Sequence, residues 1–144
     1  MLVQQILSNK GSDTVVTIPP DTTLTLAVEV LGEHRIGAVI VSEDGTRPLG
    51  ILSERDIVRE LARKGQTVLQ HRAEEVMTKD LVSCGRNDTA DAVLTLMTNG
   101  RFRHLPVMDG DEMVGFISIG DVVKARLSEL SLEKDALEGM IKGF

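Results

Sequence analysis

"GILSERD" at residues 50–56 and "GFISIGD" at residues 115–121 share one frame: a glycine, two apolar residues, a serine and, three residues later, an aspartate. A serine ending an apolar run, with a carboxylate three positions on, is the pattern that caps the start of a helix. An ionised aspartate also offers two acceptor oxygens and no donor, which suits it to the hydroxyls of a vicinal diol such as a ribose. The glycine at the head of each run marks a place where another backbone or a ligand comes close. Ser53 with Asp56 and Ser118 with Asp121 are therefore helix caps, or halves of a small-molecule site, or both.

The flanking sequence repeats as well. Displaced by 66, "VVTIPPDTTLTLAVEVLGEHRIGAVIV" (15–41) lies over "LVSCGRNDTADAVLTLMTNGRFRHLPV" (81–107), pairing Thr23 with Thr89, Arg35 with Arg101 and Val41 with Val107. After the next turn the displacement becomes 65, which sets Gly50, Ser53, Asp56 and Val58 over Gly115, Ser118, Asp121 and Val123. A surface turn tolerates such a deletion. In each copy a short β-rich run precedes apolar residues at helical spacing, as in Leu24, Val28 and Leu31. "GAVIV" and "LGILS" flank "SEDGTRP", whose Asp-Gly predicts a hairpin, and Ile57, Val58 and Leu61 predict a second helix.

The expected fold is α/β (α+β): two β-α-β-β-α repeats with pseudo-twofold symmetry plus a C-terminal helix. Repeat one is assigned to 12–64, a linker to 65–76, repeat two to 77–128 and a helical extension to 129–144. Neither half, at about 55 residues, builds much core alone, so the halves are expected to pack together.

Composition narrows the function. Hydrophobic residues at 42% and charged residues at 26% describe a globular chain. A net charge of −6 opposes nonspecific binding to a phosphate backbone. With no Trp or Tyr and three Phe there is no stacking platform for single-stranded bases. Cys84 is the single cysteine, which excludes an intrachain disulfide and a cysteine-based zinc site. His34 and His71 lack metal-ligand spacing, and no metal requirement is expected. No apolar run approaches the roughly 20 residues that span a bilayer, and no leader is evident, so a cytoplasmic protein is expected. A nucleophile with an oriented base is also missing, and catalysis is not expected.

The duplicated segments "HRIGAVIV…PLGILSERDIV" and "GRFRHLPVMDGDEMVGFISIGDVV", with "VMTKDLV" opening the second, resemble tandem cystathionine-β-synthase (CBS) domains over roughly residues 12 to 128. The resemblance implies a stand-alone regulatory module that binds adenosine ligands: AMP, ADP or ATP, with NAD(H) in one site as a further expectation. By the same resemblance Ser53 and Asp56 serve one ribose, and Ser118 and Asp121 the other. Ile36, Gly37 and Ala38 line the first adenine slot; Phe102, His104, Leu105 and Pro106 line the second. Thr17, Thr78, Asp80 and Ser83 border the pockets. Arg55, Arg101, Arg103 and His104 are the candidates for a phosphate. Because repeat one has Arg55 where repeat two has Gly120, the two sites are expected to be unequal.

The tail "DVVKARLSELSLEKDALEGMIKGF" spaces Val123, Leu127, Leu130, Leu137 and Ile141 in steps near three and four. It either folds back on its own module or meets a second copy, and the resemblance implies a homodimer. Occupancy would then be passed to an effector protein of unknown identity. The rival account is a dimerisation scaffold that needs no ligand.

Overall fold

The computed structural model describes residues 1–11 and 15–142. The expected start of repeat one at residue 12 and the end of the tail at residue 144 lie outside the described residues. In chain order the elements are α1 (Val3–Lys10), β1 (Thr17–Ile18), α2 (Leu24–His34), β2 (Ala38–Val41), β3 (Gly50–Ser53), α3 (Glu54–Lys64), a 3-10 turn (Gln66–Gln70), α4 (Ala73–Val76), α5 (Ala90–Gly100), β4 (His104–Asp109), β5 (Glu112–Ser118) and α6 (Ile119–Ile141). They fall into two compact units: Thr14–Val82 with Gly110–Val114, and Met1–Asp13 with Ser83–Asp109 and Gly115–Phe144.

The first-repeat unit is built on a three-stranded sheet in the order β1-β2-β3. β1 runs parallel to β2, which requires a crossover, and α2 supplies it. β2 and β3 are antiparallel, with Ala38 opposite Ser53 and Val41 opposite Gly50. All four residues of β2 are buried, which is why "AVIV" is apolar throughout rather than alternating. The core gathers Leu24, Leu31, Val39, Val41, Leu52 and Ile57. The hairpin loop after β2 is held by Asp44, whose carboxylate accepts hydrogen bonds from the N–H groups of Thr46 (2.9 Å) and Arg47 (2.8 Å). Those bonds hold its pKa down at about 2.

Residues 65–76, read from sequence as the linker, are folded into this unit. Val68 and Ala73 are fully buried in its core. The Ala73 N–H donates to the Thr22 carbonyl at 2.7 Å, and the Leu24 N–H donates to the His71 carbonyl at 2.9 Å. Leu69, Val76 and Met77 pack against the same core. Five apolar side chains spaced along 65–77 were the signal for this, and the polar residues between them obscured it.

The second-repeat unit repeats the plan with one shortened strand. "LVSC" makes a single parallel rung, Cys84 opposite Val107. The Cys84 N–H donates to the Pro106 carbonyl at 3.1 Å, and the Met108 N–H donates to the Cys84 carbonyl at 2.8 Å. Pro106 stands where repeat one has Ile40, and having no N–H it cannot supply another rung. Cys84 is 6% exposed, and burial, helped by the nearby Asp88 charge, pushes its thiol up to about 12, so it is protonated and inert at neutral pH.

The N-terminal segment forms α1, an element not foreseen from the sequence, and it belongs to this unit. The Val3 N–H donates to the Asp88 carbonyl (2.9 Å) and the Ala90 N–H to the Met1 carbonyl (2.9 Å). Within its unit each segment upstream of a repeat therefore does a matching job: Leu7 lies against Gly115 in one, Met77 against Gly50 in the other. The α6 helix runs without a break from the motif into the tail, and Leu127, Leu130 and Leu137 are 63%, 48% and 60% exposed. Among the described residues no helix is long and apolar enough to cross a membrane.

Candidate functional site

Each motif turn joins the last strand of a repeat to its closing helix. In the first, Ser53 is the N-cap of α3: its hydroxyl accepts from the Asp56 N–H at 3.1 Å, and the Asp56 carboxylate accepts from the Ser53 N–H at 3.0 Å. In the second, Ser118 caps α6 with the same reciprocal pair at 3.1 and 2.9 Å. Both copies are thus complete capping boxes, with Asp in the position usually held by Glu. This leaves each carboxylate capacity for further partners, since its two oxygens together accept about four bonds.

The further partners differ. Asp56 is 6% exposed, and its other oxygen lies 2.6 Å from the Arg59 guanidinium on the same helix. Asp121 is more open and meets Lys10 from α1, whose ammonium lies 2.9 Å from its carboxylate and donates to the Phe116 carbonyl at 2.8 Å. Burial pushes the Asp121 pKa up, but the Ser118 N–H and the Lys10 ammonium more than offset this, and the group lies below its ordinary value. Asp121 lines a cavity of about 350 Å³ together with Met1, Asn9, Lys10, Lys124 and Ser128. On the first-repeat unit, a groove of about 610 Å³ is lined by Val28, Arg35, Gly37, Glu54 and Val58, with Asp56 outside its lining.

The first-repeat unit brings some residues of its expected site, chiefly 36–38 and Thr78, close to the motif. Ala38 pairs with Ser53, and the Gly37 carbonyl accepts from the Glu54 N–H at 2.9 Å, so "IGA" (36–38) abuts the turn. Thr78 bridges Ile51, two residues before Ser53, and Thr17 lies on β1, on the far side of β2. Arg55 and Asp80 are exposed.

In the second-repeat unit the Arg103 carbonyl accepts from the Ile119 N–H at 2.8 Å, the counterpart of Gly37 with Glu54. The His104 ring stacks on Phe116 at 5.5 Å between centroids. Phe102 lies against Gly100, Leu105 is 1% exposed in the core, and Ser83 is exposed. Arg101 ends α5 in the left-handed conformation (φ 58°), as Arg35 ends α2 (φ 53°), so both positions have a structural duty as helix stops.

Two features read differently in three dimensions. Gly50 opens β3 and Gly115 lies within β5, and both are held to glycine by packing: a Cβ at Gly50 would lie 2.9 Å from the Thr78 carbonyl, and one at Gly115 would lie 2.6 Å from a Leu7 methyl. The nearest neighbours are side chains and backbone of the upstream segments, not open space for a ligand. Lys10 is the other: nothing in "SNKGSD" distinguishes it from a solvated lysine, and its approach to Asp121 depends on where α1 docks. Among the described residues no group of three or more His, Cys, Asp or Glu side chains is placed to hold a metal.

Comparison with known proteins places this arrangement. The chain is 44% identical to a CBS-domain containing protein, ATU1752, from Agrobacterium tumefaciens; the match covers 88% of this chain and 99% of that one, with a TM-score of 0.82. It is 32% identical over 127 residues to the mitochondrial CBS domain-containing protein CBSX3 of Arabidopsis thaliana, covering 85% of this chain and 62% of that protein's length. The CBS domain pair of protein MJ0100, solved in complex with 5-methylthioadenosine and S-adenosyl-L-methionine, shares the fold at a TM-score of 0.78 and 22% identity, over 90% of this chain and 98% of that one. The family model of the CBS domain matches twice, at residues 7–63 and 73–128, and the chain belongs to that family as a tandem CBS pair.

Proposed function

We propose that this protein is a regulatory sensor of adenine nucleotides, with Asp56 and Asp121 as the ribose acceptors of two unequal sites. The observation that carries the reading is the duplicated turn itself: Ser118 and Asp121 are held rigid by a reciprocal cap, yet Asp121 faces a cavity of about 350 Å³, within the usual size range of small-molecule sites. A related pair of the same fold holds adenosyl ligands. AMP is the first ligand to test, with NAD(H) as the longer alternative. Asp56, covered and paired with Arg59, must turn its carboxylate outward before it can take a sugar.

Signalling follows from linkage. A ligand shifts the protein between conformations only by its difference in affinity for them, and an effector protein that favours one conformation feels that shift. The same reading includes a cytoplasmic homodimer with no catalytic step. A ligand-independent dimerisation module is the second reading, favoured by the exposed apolar side chains Val58 (64%), Leu127 (63%) and Leu137 (60%).

A thermal-shift panel of AMP, ADP, ATP, NAD, NADH and S-adenosylmethionine separates the two. A ligand at 100 times its Kd adds about 2.7 kcal/mol, which for a chain near 150 residues raises Tm by roughly 5–10 °C. Loss of that shift in Asp121→Ala supports the site; no shift with any compound supports the scaffold.

A further inference from the structure

The cavity beside Asp121 has a charge pattern that the rest of the protein does not prepare for. The chain carries a net charge of −6. Yet the cavity is lined by Lys10 from α1 and Lys124 from α6 against the single carboxylate of Asp121, leaving one net positive charge. Met1 also lines it, and its ammonium is paired with Glu129 at 2.9 Å. Asn9 and Ser128 add neutral hydrogen-bonding groups.

Lys124 occupies the helix position that Arg59 holds in repeat one, three residues after the motif aspartate. Arg59 is spent on Asp56. In the second repeat Lys10 has taken that partnership, so Lys124 is exposed and faces the cavity without being drawn into the pair. A carboxylate that accepts hydrogen bonds from hydroxyls, with two ammonium groups beside it, is complementary to a sugar bearing an anion.

We infer that the groove between α1 and α6 is an anion subsite, in which Lys10 and Lys124 hold the phosphate of a nucleotide whose sugar rests on Asp121. This deepens the nucleotide reading and rests on it. It makes the second site selective for phosphorylated adenosines over the neutral nucleoside, and it makes α1 part of the site.

The test is calorimetric titration of the full chain with AMP and with adenosine, at about 0.1 M salt so that screening is moderate. Two charge-assisted contacts should make AMP bind at least about ten-fold more tightly than adenosine. Lys124→Met should bring AMP down towards adenosine while leaving adenosine affinity as it was, and Lys10→Met should weaken AMP as well. Lys10→Met also breaks the pair with Asp121; if circular dichroism shows α1 lost, Lys124→Met alone decides. Equal binding of AMP and adenosine, or an AMP preference that survives in Lys124→Met, with Asp121→Ala abolishing both, overturns the anion subsite and keeps the nucleotide reading. If the wild-type protein binds neither compound, both fall.

Discussion

Replacing Asp56 by alanine should destabilise the protein even in the absence of any ligand. The carboxylate is 6% exposed, accepts the Ser53 N–H at 3.0 Å and faces the Arg59 guanidinium at 2.6 Å. Removing it leaves a part-buried N–H without its charged acceptor, at a cost of about 1.5–2.5 kcal/mol. The Arg59 pair adds about 0.3–0.5 kcal/mol, because the guanidinium is largely exposed. The Ser53 hydroxyl still caps the Asp56 N–H through backbone geometry, so the helix start survives. The sum, about 2–3 kcal/mol, corresponds to roughly 4–12 °C in Tm for a chain of this size. Urea unfolding followed by far-ultraviolet circular dichroism is the suitable assay, since the chain has no Trp or Tyr to report by fluorescence. The midpoint should fall with the slope unchanged. A loss below about 0.5 kcal/mol would refute the reasoning, because it would mean that the buried cap stabilises nothing net.

Other consequences follow from the same geometry. Gly50→Ala should cost about 1–3 kcal/mol, because the added methyl meets the Thr78 carbonyl, a backbone atom already bonded to the Ile51 N–H; Gly115→Ala, which meets only the flexible Leu7 side chain, should cost less, and equal losses in urea would contradict this. Asp44 and Asp121 both have folded pKa values below the ordinary 3.8, so the stability they contribute is present above that value and is lost as pH falls through the folded values, about 2 for Asp44. Tm should therefore drop steeply below pH 4, and Asp121→Asn should make that limb shallower; an unchanged slope would show that Lys10 and Ser118 do not hold the carboxylate charged.

How much of the site was visible beforehand depends on how far apart its partners lie in the chain. Ser53 with Asp56 and Ser118 with Asp121 interact over three residues, and so do the caps Thr23 to Leu26 and Thr89 to Ala92. Contacts of that span are fixed by backbone geometry, and a repeated spacing exposes them. The folding of 65–76 onto the first repeat was harder to see, because Val68 and Ala73 join a distant core and the segment is tied there by Ala73 bonding to Thr22 and His71 to Leu24, more than forty positions upstream in the chain.

The amino-acid order by itself determined the duplicated β-α-β-β-α plan, the two capped turns and the apolar runs that fill each core, because propensity, periodicity and capping act within a few residues. Tertiary structure alone decided that α1 joins the second repeat, that Lys10 reaches Asp121 while Arg59 covers Asp56, and that the two aspartates therefore differ. Those outcomes depend on which distant segment buries its apolar face where. Leu7 docking on Gly115 sets the end of α1, and the charge at Lys10 follows.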